Sequence, residues 1–378
     1  MSIAYSEFIS SERLIALFSS LVSIDSKSFG EHEMCDFLRH ELIRLGFSTT
    51  VDDADFKLSG SSGNLYGFLP GTIPGEPLLF CTHMDTVEPS SGKQAILMEN
   101  GIIRSNGNTV LGADDCAGIA AILEALRTLE ENHLPHRSIE VLFTVAEEQY
   151  CRGIAQFDYS RLRSKDAYIL DLSGPIGTAA EKAPTILSFT VTVTGKAAHA
   201  GFAPQDGIHA ILAAANAISV LPMGKIDKDT TLNIGIIQGG TATNIVPDRC
   251  TVIGEIRSYS HETALDASRL IQTQFLHSAQ ALGAAIEFQQ EVRCQAYAVN
   301  PESPTVQRFE QACRSCGLTP ALEPTFGGSD NNFLQQNGVN GLVIACAMHQ
   351  CHSCEEYTTV QELCQIAEIT LSLMQSEQ

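Results

Sequence analysis

Five short stretches of this 378-residue chain end in side chains that ligate divalent metals: His83-Met84-Asp85, Asp114-Asp115, Glu147-Glu148, Asp171 and His352. Four of them follow an apolar run that reads as a buried strand: PLLFCTHMD, IEVLFTVAEE, AYILD and GLVIACAMHQCH. The Asp114-Asp115 pair instead opens a helix. Charges at the ends of buried strands are costly without partners, and a metal ion is one such partner. Open α/β sheets bind ligands just beyond the carboxyl ends of their strands. The pattern therefore points to a catalytic metal centre.

Each stretch also has a plainer reading. A single histidine is more often a satisfied interior residue than a ligand. Asp85, two residues after His83, shifts that balance, because a carboxylate accepting the second imidazole N–H fixes the tautomer and strengthens the ring as a ligand. One helix N-cap needs one carboxylate, and LGADD offers two. The side chains of Glu147 and Glu148 point in different directions, so one can bind metal while the other acts as a base. Asp171 alone is also a common turn cap. His352, with Glu356 nearby, competes with His349 for the last position. Together the segments supply two histidines and three carboxylates for ligation, with Asp85 and a spare Glu beside them. That is enough for two ions sharing a bridging carboxylate. The mixed imidazole and carboxylate set favours zinc, with manganese or cobalt as alternatives.

The elements that must position these groups alternate. Residues 11 to 46 read as two helices, capped by Ser10 or Ser11 and stopped at Gly46. Residues 64 to 88 hold two strands around the turn LPGTIPGEP. A helix over about 115–131, a strand at 139–146, a short helix and a strand at 167–171 follow. Such alternation argues for a mostly parallel sheet. Between 184 and 297 the order changes to strand (ILSFTVTVTG), helix (Gln205 to Leu221), two strands (TTLNIGIIQGG, CTVIGEIRS), helix (His261 to Leu282) and strand (AIEFQQEVR). That is the ferredoxin-like β-α-β-β-α-β unit. The alternating pattern then resumes with helix 303–316, a Gly327-Gly328 turn, a helix and strand 341–348. The expectation is a catalytic domain of residues 1–183 plus 298–378, with an inserted domain at 184–297.

Lys and Arg number 23 against 44 Asp and Glu, a formal net charge of -21. An acidic surface repels phosphate backbones and argues against nucleic-acid binding. No apolar run approaches the ~20 residues that span a bilayer. The N-terminal residues show no basic region or signal-type cleavage site, which leads to the expectation of a soluble, cytoplasmic protein. Twelve cysteines then read as reduced, mostly buried thiols. The CxxC pairs Cys313/Cys316 and Cys351/Cys354 invite a four-cysteine zinc site. The first pair, however, lies in a helical stretch and the second flanks His352, so buried thiols remain the better reading.

The segments FCTHMDTVEP, VLGADDCAGIAAILEAL, FTVAEEQYCRGIA, VTGKAAHAG and CHSCEEYTTV resemble the zinc exopeptidases that include peptidase T, carboxypeptidase G and succinyl-diaminopimelate desuccinylase. The likeness runs in order along the whole chain and is nearest to the peptidase T-like branch. It implies two metals in an α/β catalytic domain and an inserted ferredoxin-like domain that makes a homodimer. By position, it implies His83 and Asp171 on one metal, Glu148 and His352 on the other, and Asp114 bridging both. Glu147 would be the general base, acting on a metal-bridging water, and Asp85 the partner of His83. The Asp114–Asp115 peptide bond is expected to be cis. His199 resembles a histidine that reaches a neighbouring subunit's site to hold the oxyanion. Asn244 and Arg257 resemble residues that hold the substrate's terminal carboxylate or carbonyl, although a Gly-rich turn and an ordinary salt bridge would also account for them.

The chain departs from that family at Cys116, where most peptidase T-like members carry Lys, and at Gln149-Tyr150-Cys151-Arg152, where the family is Gly-rich. These departures bear on the substrate rather than on the metal chemistry. The expected reaction is hydrolysis of an amide bond in small peptides, with tripeptide aminopeptidase first and N-acyl amino-acid deacylase or carboxypeptidase second. An inactive metal-binding regulatory protein is the alternative of another class. Redox chemistry through the CxxC pairs lacks the strand-to-helix setting it needs.

Overall fold

The computed structural model describes residues 5–376. They divide into two compact units. One holds the chain up to Glu181, then Ala298–Thr325, and the chain from Ser329 on; the other holds Lys182–Tyr297 with Phe326–Gly328.

The first unit is built on a sheet whose strands run in the order Ser48–Val51, Leu65–Leu69, Ile139–Thr144, Leu78–His83, Asp166–Leu172, Asn340–Ala345 and Thr178–Ala183. The central four are parallel, with Leu78 beside both Ile139 and Asp166, and Asn340 beside Asp166. The outer pairings are antiparallel. Every residue of Leu78–His83 and Ile139–Thr144 is buried. That explains why these strands read as largely apolar runs: a parallel sheet is covered on both faces. Helices Ser11–Val22, Ala113–Glu131 and Val360–Met374 pack on one another around the core. Ser10 caps the first helix by accepting the Arg13 N–H, and the Arg13 guanidinium grips the buried Glu124 of the second at 2.8 Å. Gly46, at φ 84°, follows helix His32–Arg44 and turns the chain.

Gly118 lets helix Ala113–Glu131 press on the sheet. A Cβ there would lie 2.8 Å from both the Leu170 carbonyl oxygen and Thr82 Cγ2. The helix thus starts directly over the ends of strands 78–83 and 166–172. Its first residues are not helical: Asp114 and Asp115 have ψ of 97° and 31°, and the bond between them is cis.

The second unit is a five-stranded antiparallel sheet in the order Gly224–Lys225, Thr230–Gly239, Arg249–Ser258, Thr185–Thr194, Ala285–Cys294. Helices Ala210–Ser219 and His261–Leu282 pack against it and against each other. The four long strands and two helices follow the ferredoxin-like order. Strand 249–258 alternates buried and exposed positions, as one covered face requires. Two details differ from the sequence expectation. The first helix begins at Ala210 rather than near Gln205. His209 caps it by accepting the Leu212 N–H at 3.2 Å, while Ile208 is held in an extended bridge with Lys196. Phe326–Gly328 joins this unit because Arg257 Nη1 donates to the Phe326 carbonyl at 2.6 Å and the Tyr259 ring packs on Phe326.

Candidate metal centre

Strand ends and one irregular helix start bring the marked residues of the first unit together. His83 closes strand 78–83, and Asp171 lies at the end of strand 166–172. Glu147 and Glu148 follow strand 139–144, His352 sits in the turn after strand 340–345, and Asp114 projects from the start of helix 113–131. Two triads result, His83–Asp114–Asp171 and Asp114–Glu148–His352, with donor atoms within 4.8 Å of one another in each. Asp114 is common to both. Its Oδ1 lies 2.9 Å from His83 Nε2, and its Oδ2 lies 3.3 Å from His352 Nε2. His352 Nε2 is also 3.0 Å from Glu148 Oε2.

Charge at this centre is poorly balanced by the protein alone. Burial, and then neighbouring carboxylates, push the carboxyl groups of Asp171, Glu147 and Glu148 above their ordinary range. Burial acts on Asp114 in the same sense, but hydrogen bonds to His352 and His83 outweigh it and hold that group low. Hydrogen bonds to Asp114 and then Glu148 raise His352 to about 10. Glu148 Oε1 is buried without a hydrogen-bond partner. An orphaned carboxylate oxygen among converging carboxylates and imidazoles is what a divalent cation would satisfy. The donor set therefore fits one.

The Asp85 carboxylate does more than pair with His83. The acceptor nearest His83 Nδ1 is the Asp85 backbone carbonyl at 2.9 Å; the carboxylate is at 3.5 Å. The carboxylate also accepts the backbone N–H groups of Glu147 and Glu148, at 2.9 and 3.2 Å, and the Ser28 hydroxyl at 2.7 Å. It thereby aims both glutamates. His349 is drawn elsewhere: Nε2 binds Glu362 at 2.9 Å and the ring stacks on Tyr357.

Further residues hold the centre. Glu356 accepts the backbone N–H of Gly112 and of Asp114. Glu31 accepts that of Ala146, just before the glutamate pair, and Asn64 Oδ1 that of Val145. Asp330 is buried beside Thr144, and the Cys151 thiol donates to Glu147 Oε1 at 3.2 Å. Of these, the sequence marks Glu356, four residues past His352, and Cys151, in the loop that departs from the family pattern. The loop 146–152 closes on itself through Arg152 N to Ala146 O and Cys151 N to Glu147 O. None of the twelve cysteines is in a disulfide, and no four-cysteine cluster occurs among the described residues.

The other marked residues lie in the second unit. His199 is exposed; its Nδ1 accepts the backbone N–H of Gly201 and Phe202, both at 3.1 Å, and its ring stacks on Phe202. The ring proton is therefore on Nε2 when the imidazole is neutral. Asn244 is exposed and its backbone carbonyl accepts the Ala200 N–H, which ties it to the His199 turn. Arg257 donates to Glu255 at 2.6 Å and to the Phe326 carbonyl. No helix of the described residues is long and apolar enough to cross a membrane.

Comparison with known proteins matches residues 183–280 to a peptidase dimerisation domain and residues 64–190 to peptidase family M28. A Bacillus subtilis protein, YqjE, described only as uncharacterized, is 34% identical over 97% of this chain and 99% of its own length. The crystal structure of aminopeptidase PepT from Bacillus cereus is 35% identical, with a TM-score of 0.90 over 97% of this chain and 99% of that one. That of a tripeptidase from Staphylococcus aureus is 32% identical, with a TM-score of 0.94 over 97% and 98%.

Proposed function

From the premise that this chain belongs to the peptidase T-like metallopeptidases, we propose that it is a di-zinc aminopeptidase that cleaves tripeptides and acts as a homodimer. The observation that carries this reading is the pair of triads meeting at Asp114, with Glu147 beside them. His83 and Asp171 would hold one ion, Glu148 and His352 the other, and Asp114 both. Ions held there would supply Lewis-acid chemistry, lowering the pKa of a bound water and polarising the scissile carbonyl.

The chain's own groups do the rest. Glu147 takes the proton of the attacking water and passes it to the leaving amine. Burial pushes its carboxyl above the ordinary range, the direction that strengthens a carboxylate as a base. Asp85 holds Glu147 and Glu148 in place through their backbone N–H groups. His199 presents Nε2–H outward, in the tautomer needed to hold an oxyanion in a partner protomer's site. Asn244 and Arg257 hold the terminal carboxylate or carbonyl of the peptide, a contact suited to a guanidinium. The dimer is supported by the dimerisation-domain match, and tripeptide cleavage by the likeness to a PepT and a tripeptidase along nearly the full chain.

The test is hydrolysis by zinc-loaded protein of a tripeptide, its N-acetylated form, its C-amidated form and an N-acyl amino acid. Cleavage that requires a free N-terminus is the expected result. Preference for the N-acylated compounds would replace the aminopeptidase with a deacylase or carboxypeptidase on the same metal centre.

A further inference from the structure

Outside the two triads, a third cluster of donors lies in the first unit. Glu147, Cys151 and Asp330 each offer an atom, all within 4.8 Å of one another, and it shares no residue with the triads. Cys151 and Asp330 are buried, and Glu147 is nearly so. The Cys151 thiol already points at Glu147, with Sγ 3.2 Å from Oε1. A tetrahedral zinc places its sulfur and oxygen ligands about 3.5 Å apart, so this pair needs only a small movement. Asp330 uses Oδ2 for the Thr144 hydroxyl and the Cys81 thiol. Its Oδ1 is buried without a hydrogen-bond partner. A buried carboxylate oxygen with no donor, close to a second carboxylate and a thiol, lacks a positive partner.

We propose that Glu147, Cys151 and Asp330 form an inhibitory site for a thiophilic divalent cation, zinc or cadmium, separate from the ions held through Asp114. One sulfur and two carboxylate ligands leave a fourth position for water, the donor set of a zinc-type ion rather than of magnesium or calcium. On binding, the thiol proton passes to solvent and the thiolate becomes a ligand. Glu147 then gives its lone pair to the ion and cannot take a proton from water. Excess metal therefore stops the reaction by removing the base, an effect that rests on the reading of Glu147 given above. The ligand set itself does not depend on that reading.

The experiment adds Cd2+ to zinc-loaded protein and follows bound ions per protomer together with the thiolate-to-cadmium charge-transfer absorption. Wild type is compared with Cys151→Ser and Asp330→Asn. Wild type should bind one more ion than Cys151→Ser and show an absorption increment that this variant lacks. Asp330→Asn should bind that ion at least tenfold more weakly. In peptide hydrolysis under excess Zn2+, the inhibitory concentration should rise at least tenfold in both variants. Equal ion counts and equal spectra in wild type and Cys151→Ser would overturn the site. An extra ion that leaves turnover unaffected would uphold the ligand set and overturn Glu147 as base. Because spectra and ion counts need no turnover, failure of the peptidase reading is seen separately.

Discussion

Glu356 accepts the backbone N–H of Asp114 at 3.0 Å, from a position 242 residues further along the chain. Its other oxygen takes the N–H of Gly112 at 2.7 Å, and the side chain is buried. One carboxylate thus ties the loop carrying the shared Asp114 to the segment carrying His352. Glu356→Gln keeps the size but turns an N–H₂ toward one of those donors. Divalent-metal affinity should fall ~10–100-fold, with ~1.5–3 kcal/mol of stability lost. Chelator competition and thermal unfolding measure the two effects. Unchanged metal affinity would leave Glu356 with a purely structural role.

Glu147→Ala should lower kcat by ~10²–10⁴-fold, the range for loss of a general base. The ions held through Asp114 should remain, because Glu147 belongs to neither triad. Metal analysis and single-turnover rates on the same sample decide the matter. A rate near that of wild type would remove Glu147 from the mechanism.

Glu31 should make the metal-free protein less stable as pH rises. Burial, reinforced by the Asp85 charge, raises its pKa from 4.5 to about 7. Its Oε1 accepts two backbone N–H groups, but Oε2 is buried with no partner. A carboxyl whose pKa is higher folded than unfolded holds its proton more tightly in the folded protein. Its contribution is therefore full below 4.5 and is lost as pH climbs through about 7. The loss is on the order of 3 kcal/mol. Urea unfolding of wild type and Glu31→Gln at several pH values tests this. The variant, having no charge to desolvate, should gain on wild type by that amount across the window. Parallel curves would show that Glu31 does not titrate there.

Mixing His199→Ala protomers with Glu147→Ala protomers should restore activity that neither has alone. If His199 serves the partner's site, each mixed dimer has one intact site, and random exchange yields about a quarter of the wild-type rate. Subunit exchange is verified by native mass spectrometry. Verified mixed dimers with no recovery would place the action of His199 within its own chain.

The sequence by itself determined the architecture and marked the residues whose donors converge. Largely apolar runs such as LLFCTH and IEVLFT read as strands covered on both faces, and helices between them favour parallel pairing. The change of order after residue 184 set the ferredoxin-like unit apart. Charged residues at strand ends stand out because such positions are costly without a partner.

Tertiary structure alone decided how those residues are held. The Asp85 carboxylate serves the Glu147 and Glu148 backbone rather than chiefly the imidazole, because the strand ends place those N–H groups nearer its oxygens. His349 is drawn to Glu362 and Tyr357, which leaves His352 with Asp114 and Glu148. Glu31, Glu356 and Asp330 acquire their partners Ala146, Asp114 and Thr144 only when distant segments meet. Periodicity and spacing report neighbours within a few residues, whereas a buried carboxylate finds its donor wherever the fold leaves one unpaired.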